Sequence, residues 1–246
     1  TSLWYQPVAG GAPVKAFVAG EAAPNAAGAT PVGSPTFAAL DVPSMGGGGT
    51  FAFRGVLNLD GDNVANDKND GIWRGSIAGG FSNILRRGDN NTNRPGLFAG
   101  PILVSNPNIK AGNIWSGWLT NSNHGAWLGW VGLAGDGISA YPADTFGIYT
   151  DLGSEGMNLL ISSGDPAPGI AGATLFFVDH PVVSGTAPSE YLAFIATVTG
   201  GGTTASDNKG LWRSLNGAAP TLVLRTGDAM TTTQGAQTIA DIDLPG

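Results

Sequence analysis

One set of landmarks recurs four times along the 246 residues of this chain. Each copy has an aliphatic-aromatic step, a Gly-acid pair fifteen or sixteen residues later, and then a step into Pro. The aromatic residues are Trp4, Trp73, Tyr149 and Trp212, the Gly-acid pairs begin at Gly20, Gly88, Gly164 and Gly227, and the prolines are Pro43, Pro107, Pro181 and Pro245. Each landmark returns after 63 to 76 residues, which is the length of one small β-sheet with its turns and exceeds the usual helical repeats. The period therefore predicts sheet-sized repeats in series.

Composition limits the classes of function. The chain has 40 Gly and 16 Pro, yet 42% of its residues are hydrophobic, so it is rich in turns and can still bury a core. Its net charge of −7 argues against binding nucleic acid or an anionic membrane through a basic surface. No apolar run approaches the length needed for membrane insertion. The absence of cysteine excludes disulfides and thiolate metal sites, and together with abundant Gly, Thr, Ser and Asn it is typical of an exported bacterial protein.

The local pattern within a repeat is that of β-strands. Residues 51–57, 127–133 and 192–198 align, and in each a bulky residue alternates with a small one, which is the period-2 pattern of a strand packed closely on one face. A polar turn, the aromatic strand and an aliphatic strand ending at Gly-acid follow, and a further strand precedes the Pro step. Four strands per period predict an all-β, propeller-like repeat of four-stranded blades. We expect one repeat domain over residues 1–246, with blades at about 37–89, 101–165 and 174–228 and the remaining strands in 1–21 and 236–246.

The repeated motifs resemble those of a family of secreted bacterial tandem-repeat proteins of uncharacterised role, which carry Gly-Ile-Trp/Tyr and Gly-Asp-Pro-Ala-Pro-Gly signatures. This chain has the first signature at Gly71-Ile72-Trp73 and Gly147-Ile148-Tyr149, and the second at residues 164–169. The resemblance implies a β-propeller-like repeat and export from the cell. It supplies no catalytic residues to transfer.

The strands left over from the three blades predict self-association. Segments 1–21 and 236–246 would together form a fourth blade that lacks its alternating strand, so a neighbouring copy or a lost segment would fill the gap. An open fragment of a longer array is the alternative. An exposed strand edge pairs readily with another chain, so copies of the protein itself are the expected partner.

One acidic loop has the pattern of a calcium site. Asp60, Asp62 and Asp67 offer carboxylate oxygens at the alternating spacing of Ca²⁺ loops. The loops at the equivalent place in the other copies are poor in acids, so the fold does not require a metal there. A solvated turn and a bound calcium ion both remain open, and no other cofactor is expected.

Surplus aromatic residues mark a candidate interaction site. The second copy needs 23 residues between its Pro step and its alternating strand, which is longer than the others, and the excess contains Trp115, Trp118 and His124. Aromatic side chains on a loop could stack on sugar rings or anchor a protein partner. An extra hairpin that tucks its Trp residues against the blade is the structural alternative.

Catalysis has little support in the sequence. His124 and His180 are the only histidines, so a Ser-His-Asp or two-histidine metal site would have to use them. The recurring acids Glu21, Asp89, Asp165 and Asp228 could form a carboxylate pair, but a residue type present in every copy is more often structural. The tripeptide Arg87-Gly88-Asp89 reproduces an adhesion motif only because its Gly-acid turn belongs to the repeat.

These observations predict an extracellular or cell-surface protein that is not an enzyme. We expect a structural or adhesive module that self-associates into a filament, sheath or surface layer through sheet edges and an aromatic hairpin. The alternative is a carbohydrate-binding or glycan-hydrolysing propeller.

Overall fold

The computed structural model confirms the all-β prediction. It describes residues 1–6, 10–24, 35–41, 43–58, 70–86, 109–133, 146–153, 156–233 and 235–244. These residues form several antiparallel sheets, none closed into a barrel, and contain one 3-10 turn (Gly47–Gly49) and no α-helix.

The strands fall into four sheets and a separate hairpin, in chain order. The first sheet contains β1 (Ser2–Tyr5) and β2 (Val14–Val18). The second contains β3 (Phe37–Leu40), β4 (Ser44–Met45), β5 (Phe51–Leu57), β6 (Asp70–Ser76) and β7 (Gly80–Arg86). The third contains β8 (Ile109–Leu119), β9 (Gly125–Leu133), β10 (Phe146–Thr150) and β11 (Asn158–Ser162). The fourth contains β12 (Ala173–Thr186), β13 (Ser189–Gly200), β14 (Lys209–Leu215) and β15 (Thr221–Arg225), and the hairpin pairs β16 (Ala229–Thr232) with β17 (Gly235–Thr238).

The aliphatic-aromatic landmark corresponds to one irregularity of register in every sheet. The pairing shifts between Leu3 and Trp4, between Ile72 and Trp73, between Ile148 and Tyr149, and between Leu211 and Trp212. A bulge of this kind increases the local twist and re-aims the side chains that follow it. The repeated sequence therefore produces a repeated backbone feature, at the point where each sheet places its landmark aromatic ring.

The Gly-acid landmark forms a repeated turn at the end of a sheet. Gly20, Gly164 and Gly227 adopt φ of 95°, 88° and 84°, a left-handed conformation that glycine adopts without steric cost. The acid that follows accepts the backbone N–H of the residue three positions earlier, with Glu21, Asp165 and Asp228 bonding to Val18, Ser162 and Arg225 at 2.7–2.9 Å. These acids close turns, which accounts for their recurrence without catalysis.

The Pro step does not end a strand in the way the sequence predicts. In the fourth sheet β12 runs through Pro181 and pairs with β13 along its length, with a register shift between Asp179 and Val182. Because Pro lacks an N–H, a bulge is one of the few places in a sheet that accepts it. In the second sheet the same step separates β3 from β4, and both of these strands pair with β5.

The core consists of contacts between successive sheets. Leu3 and Phe17 of the first sheet pack on Phe37, Phe53 and Trp73 of the second. The opposite face of the second sheet packs on the third, and the opposite face of the third packs on the fourth. The residues at these two junctions include Ala52, Ile72 and Leu85 against Trp127 and Tyr149, and Ala126 and Ile148 against Phe194 and Trp212.

Candidate functional site

The connection between β8 and β9 contacts the sheets on both sides of it. This segment, Thr120–His124, is called the central turn below. It is tight because Asn123 adopts a left-handed φ of 69°, which asparagine tolerates better than most residues, and its N–H donates to Thr120 O at 3.0 Å. Asn121 N donates to Gly185 O of the fourth sheet at 3.2 Å. On the other side, the N–H of Leu119, which directly precedes the turn, donates to Ser44 Oγ of the second sheet at 2.9 Å.

A buried carboxylate of the fourth sheet meets the central turn. Glu190 lies at the start of β13 and has no solvent exposure. Its Oε1 accepts Thr120 Oγ1 at 2.6 Å, and its Oε2 accepts His124 Nδ1 at 2.6 Å and Gly153 N at 3.2 Å. The third sheet therefore supplies all three donors to an acid of the fourth.

Opposing effects act on the ionisation of Glu190. Burial acts to raise the pKa of this carboxyl, because a low dielectric disfavours the charged form. The hydrogen bonds from Thr120, His124 and Gly153 outweigh burial and hold the pKa below its ordinary value. An ionised carboxylate only accepts hydrogen bonds, so Nδ1 of His124 carries the proton that it shares.

A second buried carboxylate joins the third sheet to the second. Asp151 follows β10, and its side chain is 3% exposed. Its Oδ2 accepts Arg74 Nη1 at 2.5 Å and its Oδ1 accepts Gly125 N at 2.7 Å. Arg74 Nη1 also donates to Asn123 O at 2.7 Å, so the guanidinium from β6 binds the central turn as well.

The predicted interaction residues lie on this part of the chain, although no extra hairpin is present among the described residues. The surplus residues lengthen β8, whose pairing with β9 shifts register twice, so Trp115 and Trp118 belong to a strand. Trp118 is 44% exposed, and His124 is half-buried against Glu190. The side chain of Trp115 lies outside the part of the molecule that the structure describes.

Other predicted sites lie outside the described residues or at structural positions. The calcium prediction at Asp60, Asp62 and Asp67, and the tripeptide at residues 87–89, fall on segments that the structure does not describe. In the described ranges no group of three His, Asp or Glu side chains is arranged to hold a metal ion.

Sequence reasoning missed the residues that bind the central turn. Glu190, Thr120, Asp151 and Arg74 were not singled out. One signal was available for Glu190: four residues before the aligned positions Phe53, Gly129 and Phe194, the copies have Gly49, Gly125 and Glu190. An acid that appears at this position in one copy alone marks a contact that the repeat itself does not require.

A family model matches residues 116–242 of this chain and is described as a family of unknown function (DUF7453). The match covers more than half of the 246 residues. The chain belongs to this family. The matched region runs from within β8 to beyond β17 and includes the central turn and Glu190. No curated protein and no solved structure matches the chain.

The chemistry of the site is that of a joint between sheets. Three donors bind the buried carboxylate of Glu190: the side chains of Thr120 and His124 and the backbone N–H of Gly153. A buried charge is tolerated when it is hydrogen-bonded in this way. Removing the donors would leave an uncompensated carboxylate in the interior.

Within the described ranges, no helix is long and apolar enough to cross a membrane.

Proposed function

We propose that this protein is an extracellular structural or adhesive module built from propeller-like blades, and that it self-associates. The second, third and fourth sheets would be successive four-stranded blades. The hairpin-connected order of strands in the third and fourth sheets supports this arrangement, as does the packing of each sheet on the next.

One repeated contact carries the proposal. Trp73 Nε1 donates to Pro24 O and Trp212 Nε1 donates to Pro168 O, each at 2.9 Å, and each proline lies four residues after the glycine of the preceding Gly-acid turn. The same side chain thus attaches its sheet to the segment that follows the sheet before it. A structure that grows by one repeated junction favours a scaffold over a single dedicated pocket.

The composition of the chain supports export, and its exposed hydrophobic side chains support self-association. The chain has no cysteine and is rich in Gly, Thr and Ser, which suits an oxidising exterior where no free thiol is exposed. Large hydrophobic side chains are exposed on several sheets, namely Trp4, Met45, Trp118, Phe176, Tyr191, Leu215 and Val223. Exposed apolar side chains of this size favour contact with another macromolecule.

Sedimentation velocity and negative-stain imaging test the proposal. The chain is expected to form ordered assemblies whose size grows with concentration in the micromolar range. A monodisperse monomer throughout that range would refute self-association.

A second candidate, glycan binding, is favoured by Trp118. This side chain is 44% exposed on β8, close in sequence to the central turn, where Asn121 is also exposed. An exposed indole suits stacking on a sugar ring, and an exposed amide can bond to its hydroxyl groups. Binding on a glycan array that is lost in Trp118→Ala and retained in Met45→Ala, another exposed apolar position, would support this function over the first.

A further inference from the structure

Each sheet presents two different faces to its neighbours. The ring face carries the aromatic landmark and packs on the preceding sheet, while the aliphatic face carries the residue just before it and packs on the following sheet. On the aliphatic face Leu3, Ile72 and Ile148 are at most 6% exposed, because each is covered by the ring face of the next sheet. Every described junction between the four sheets thus pairs an aliphatic face with a ring face.

The ring face of the first sheet is uncovered in the described structure. Trp4 is 57% exposed, whereas its counterparts Trp73, Tyr149 and Trp212 are fully buried. Its indole N–H donates locally to Ser2 Oγ at 3.1 Å, and not to a proline carbonyl as those of Trp73 and Trp212 do. Trp4 thus has the sequence position of a residue that packs between two sheets, but no sheet of the described structure packs on its ring.

The aliphatic face of the fourth sheet is incompletely covered. Leu211 is only half-buried although its counterparts Ile72 and Ile148 are fully buried. Tyr191 and Leu215 are directly paired across β13 and β14 and are each 45% exposed. Val223, on the neighbouring β15, is 49% exposed.

We propose that the ring face of the first sheet of one copy docks on the aliphatic face of the fourth sheet of a second copy. Trp4 would insert beside Leu211, Leu215 and Val223, as Trp212 does beside Ile148 within the chain. A second copy is the fitting occupant because this chain carries both halves of a contact that it already makes internally. The inference rests on the proposed self-association and names the surface responsible.

This contact joins two different surfaces, so it propagates from copy to copy. A head-to-tail interface closes into a ring where the rotation between copies allows it and otherwise gives a filament. Blocking either face is therefore sufficient to stop growth at that end. A buried tryptophan at the centre of a small interface is a typical energetic hot spot.

Two single substitutions and their mixture test the docking. Trp4→Glu and Val223→Glu each place a charge on one face, at positions exposed enough to leave the fold intact, which far-UV circular dichroism checks. Each variant alone is expected to sediment as a monomer, with self-association weakened about 30-fold or more. An equimolar mixture should form one-to-one dimers, because each variant retains the face that the other needs. Leu215→Glu provides a second block of the fourth sheet, and Met45→Glu, which adds the same charge to an exposed position of the second sheet, should assemble like the unmodified chain.

The outcomes separate this inference from the proposed function. If the unmodified chain assembles and all these variants assemble equally well, the docking is wrong while self-association stands. If Trp4→Glu and Val223→Glu are monomeric and their mixture remains monomeric, the head-to-tail geometry is wrong. If the unmodified chain is itself monomeric, the docking and the proposed function both fail.

Discussion

The two junctions on either side of the third sheet have the same apolar contacts and different polar ones. At both, a small residue and an isoleucine of one sheet meet the aromatic pair of the next: Ala52 and Ile72 meet Trp127 and Tyr149, and Ala126 and Ile148 meet Phe194 and Trp212. The polar contact is Arg74 with Asp151 at the first junction and Glu190 with Thr120 and His124 at the second. The difference shows that repeated residues supply the packing energy, whereas acids found in one copy alone, Asp151 and Glu190, fix how a particular pair of sheets is aligned.

The largest expected effect tests the apolar contacts that the two junctions share. Trp212→Ala removes a fully buried ring that stacks on Phe194 with centroids 5.9 Å apart, so the free energy of unfolding should fall by about 3–5 kcal/mol. Tyr149→Ala at the other junction should cost a similar amount. Trp4→Ala is the matched control at protein concentrations low enough to keep the chain monomeric, since the equivalent residue is exposed there and the change should stay within about 0.5 kcal/mol. Urea denaturation measures all three, and a cost for Tyr149→Ala near that of the control would show that the junctions are not equivalent.

The second prediction tests the polar contacts, which differ between the two junctions. Glu190→Ala removes the hydrogen-bond acceptor of Thr120, His124 and Gly153. The change should lower the free energy of unfolding by about 2–4 kcal/mol. Arg74→Met should cost less, about 1–2 kcal/mol, because Arg74 is partly exposed and Asp151 keeps its bond from Gly125. The same denaturation assay compares the two variants. Equal costs would mean that the burial of Glu190 does not distinguish the junctions.

The smallest effect is a pH dependence at the second junction. The pKa of Glu190 is lowered in the folded protein, so the unfolded chain takes up this proton first as the solution is acidified. Its stabilising contribution is therefore complete above the ordinary value of 4.5 and is lost as the pH falls through the lower folded value.

Glu190→Gln measures this contribution. The variant should show a flatter loss of stability than the unmodified chain between neutral pH and the acid limb, measured by denaturation at each pH. Asp243→Asn, at an exposed acid, makes the same change in net charge. Identical slopes for Glu190→Gln and the unmodified chain would exclude Glu190 as the source of the acid sensitivity.

The repeated features of the fold were predictable from sequence because they depend on local pattern. Alternation of bulky and small residues and the Gly-acid turn predict strands and their ends, and the observed strands of the second, third and fourth sheets span residues 37–86, 109–162 and 173–225. Trp73, Tyr149 and Trp212 share one position in the period, and all three are fully buried. Trp4 departs from its counterparts because burial of a ring face depends on the preceding sheet, not on the ring's own strand.

The candidate site was only partly predictable, because its partners are distant in sequence and its two acids, Asp151 and Glu190, occur in one copy alone. The unusual length of the segment that ends at His124 predicted an interaction site there, and His124 contacts Glu190 of the fourth sheet. Its partner Glu190 is 66 residues away and Arg74 is 77 residues from Asp151, so no local pattern links them. The surplus length forms no additional hairpin among the described residues, because a strand with two register shifts absorbs extra residues without leaving the sheet.

The Gly-acid turn has a consequence for how such a chain could lengthen over evolution. At each described turn the glycine N–H donates to the carbonyl of a residue in the segment that follows, and the N–H of that residue donates to the carbonyl of the acid. The residue is Phe37 after Gly20, Leu175 after Gly164 and Ile239 after Gly227. The seam between units is thus closed by main-chain bonds, which are nearly indifferent to the side chains on either side. Duplication or exchange of a unit at this seam would leave its bonding intact, so new members of the array could arise by recombination before any side chain adapted to a new neighbour.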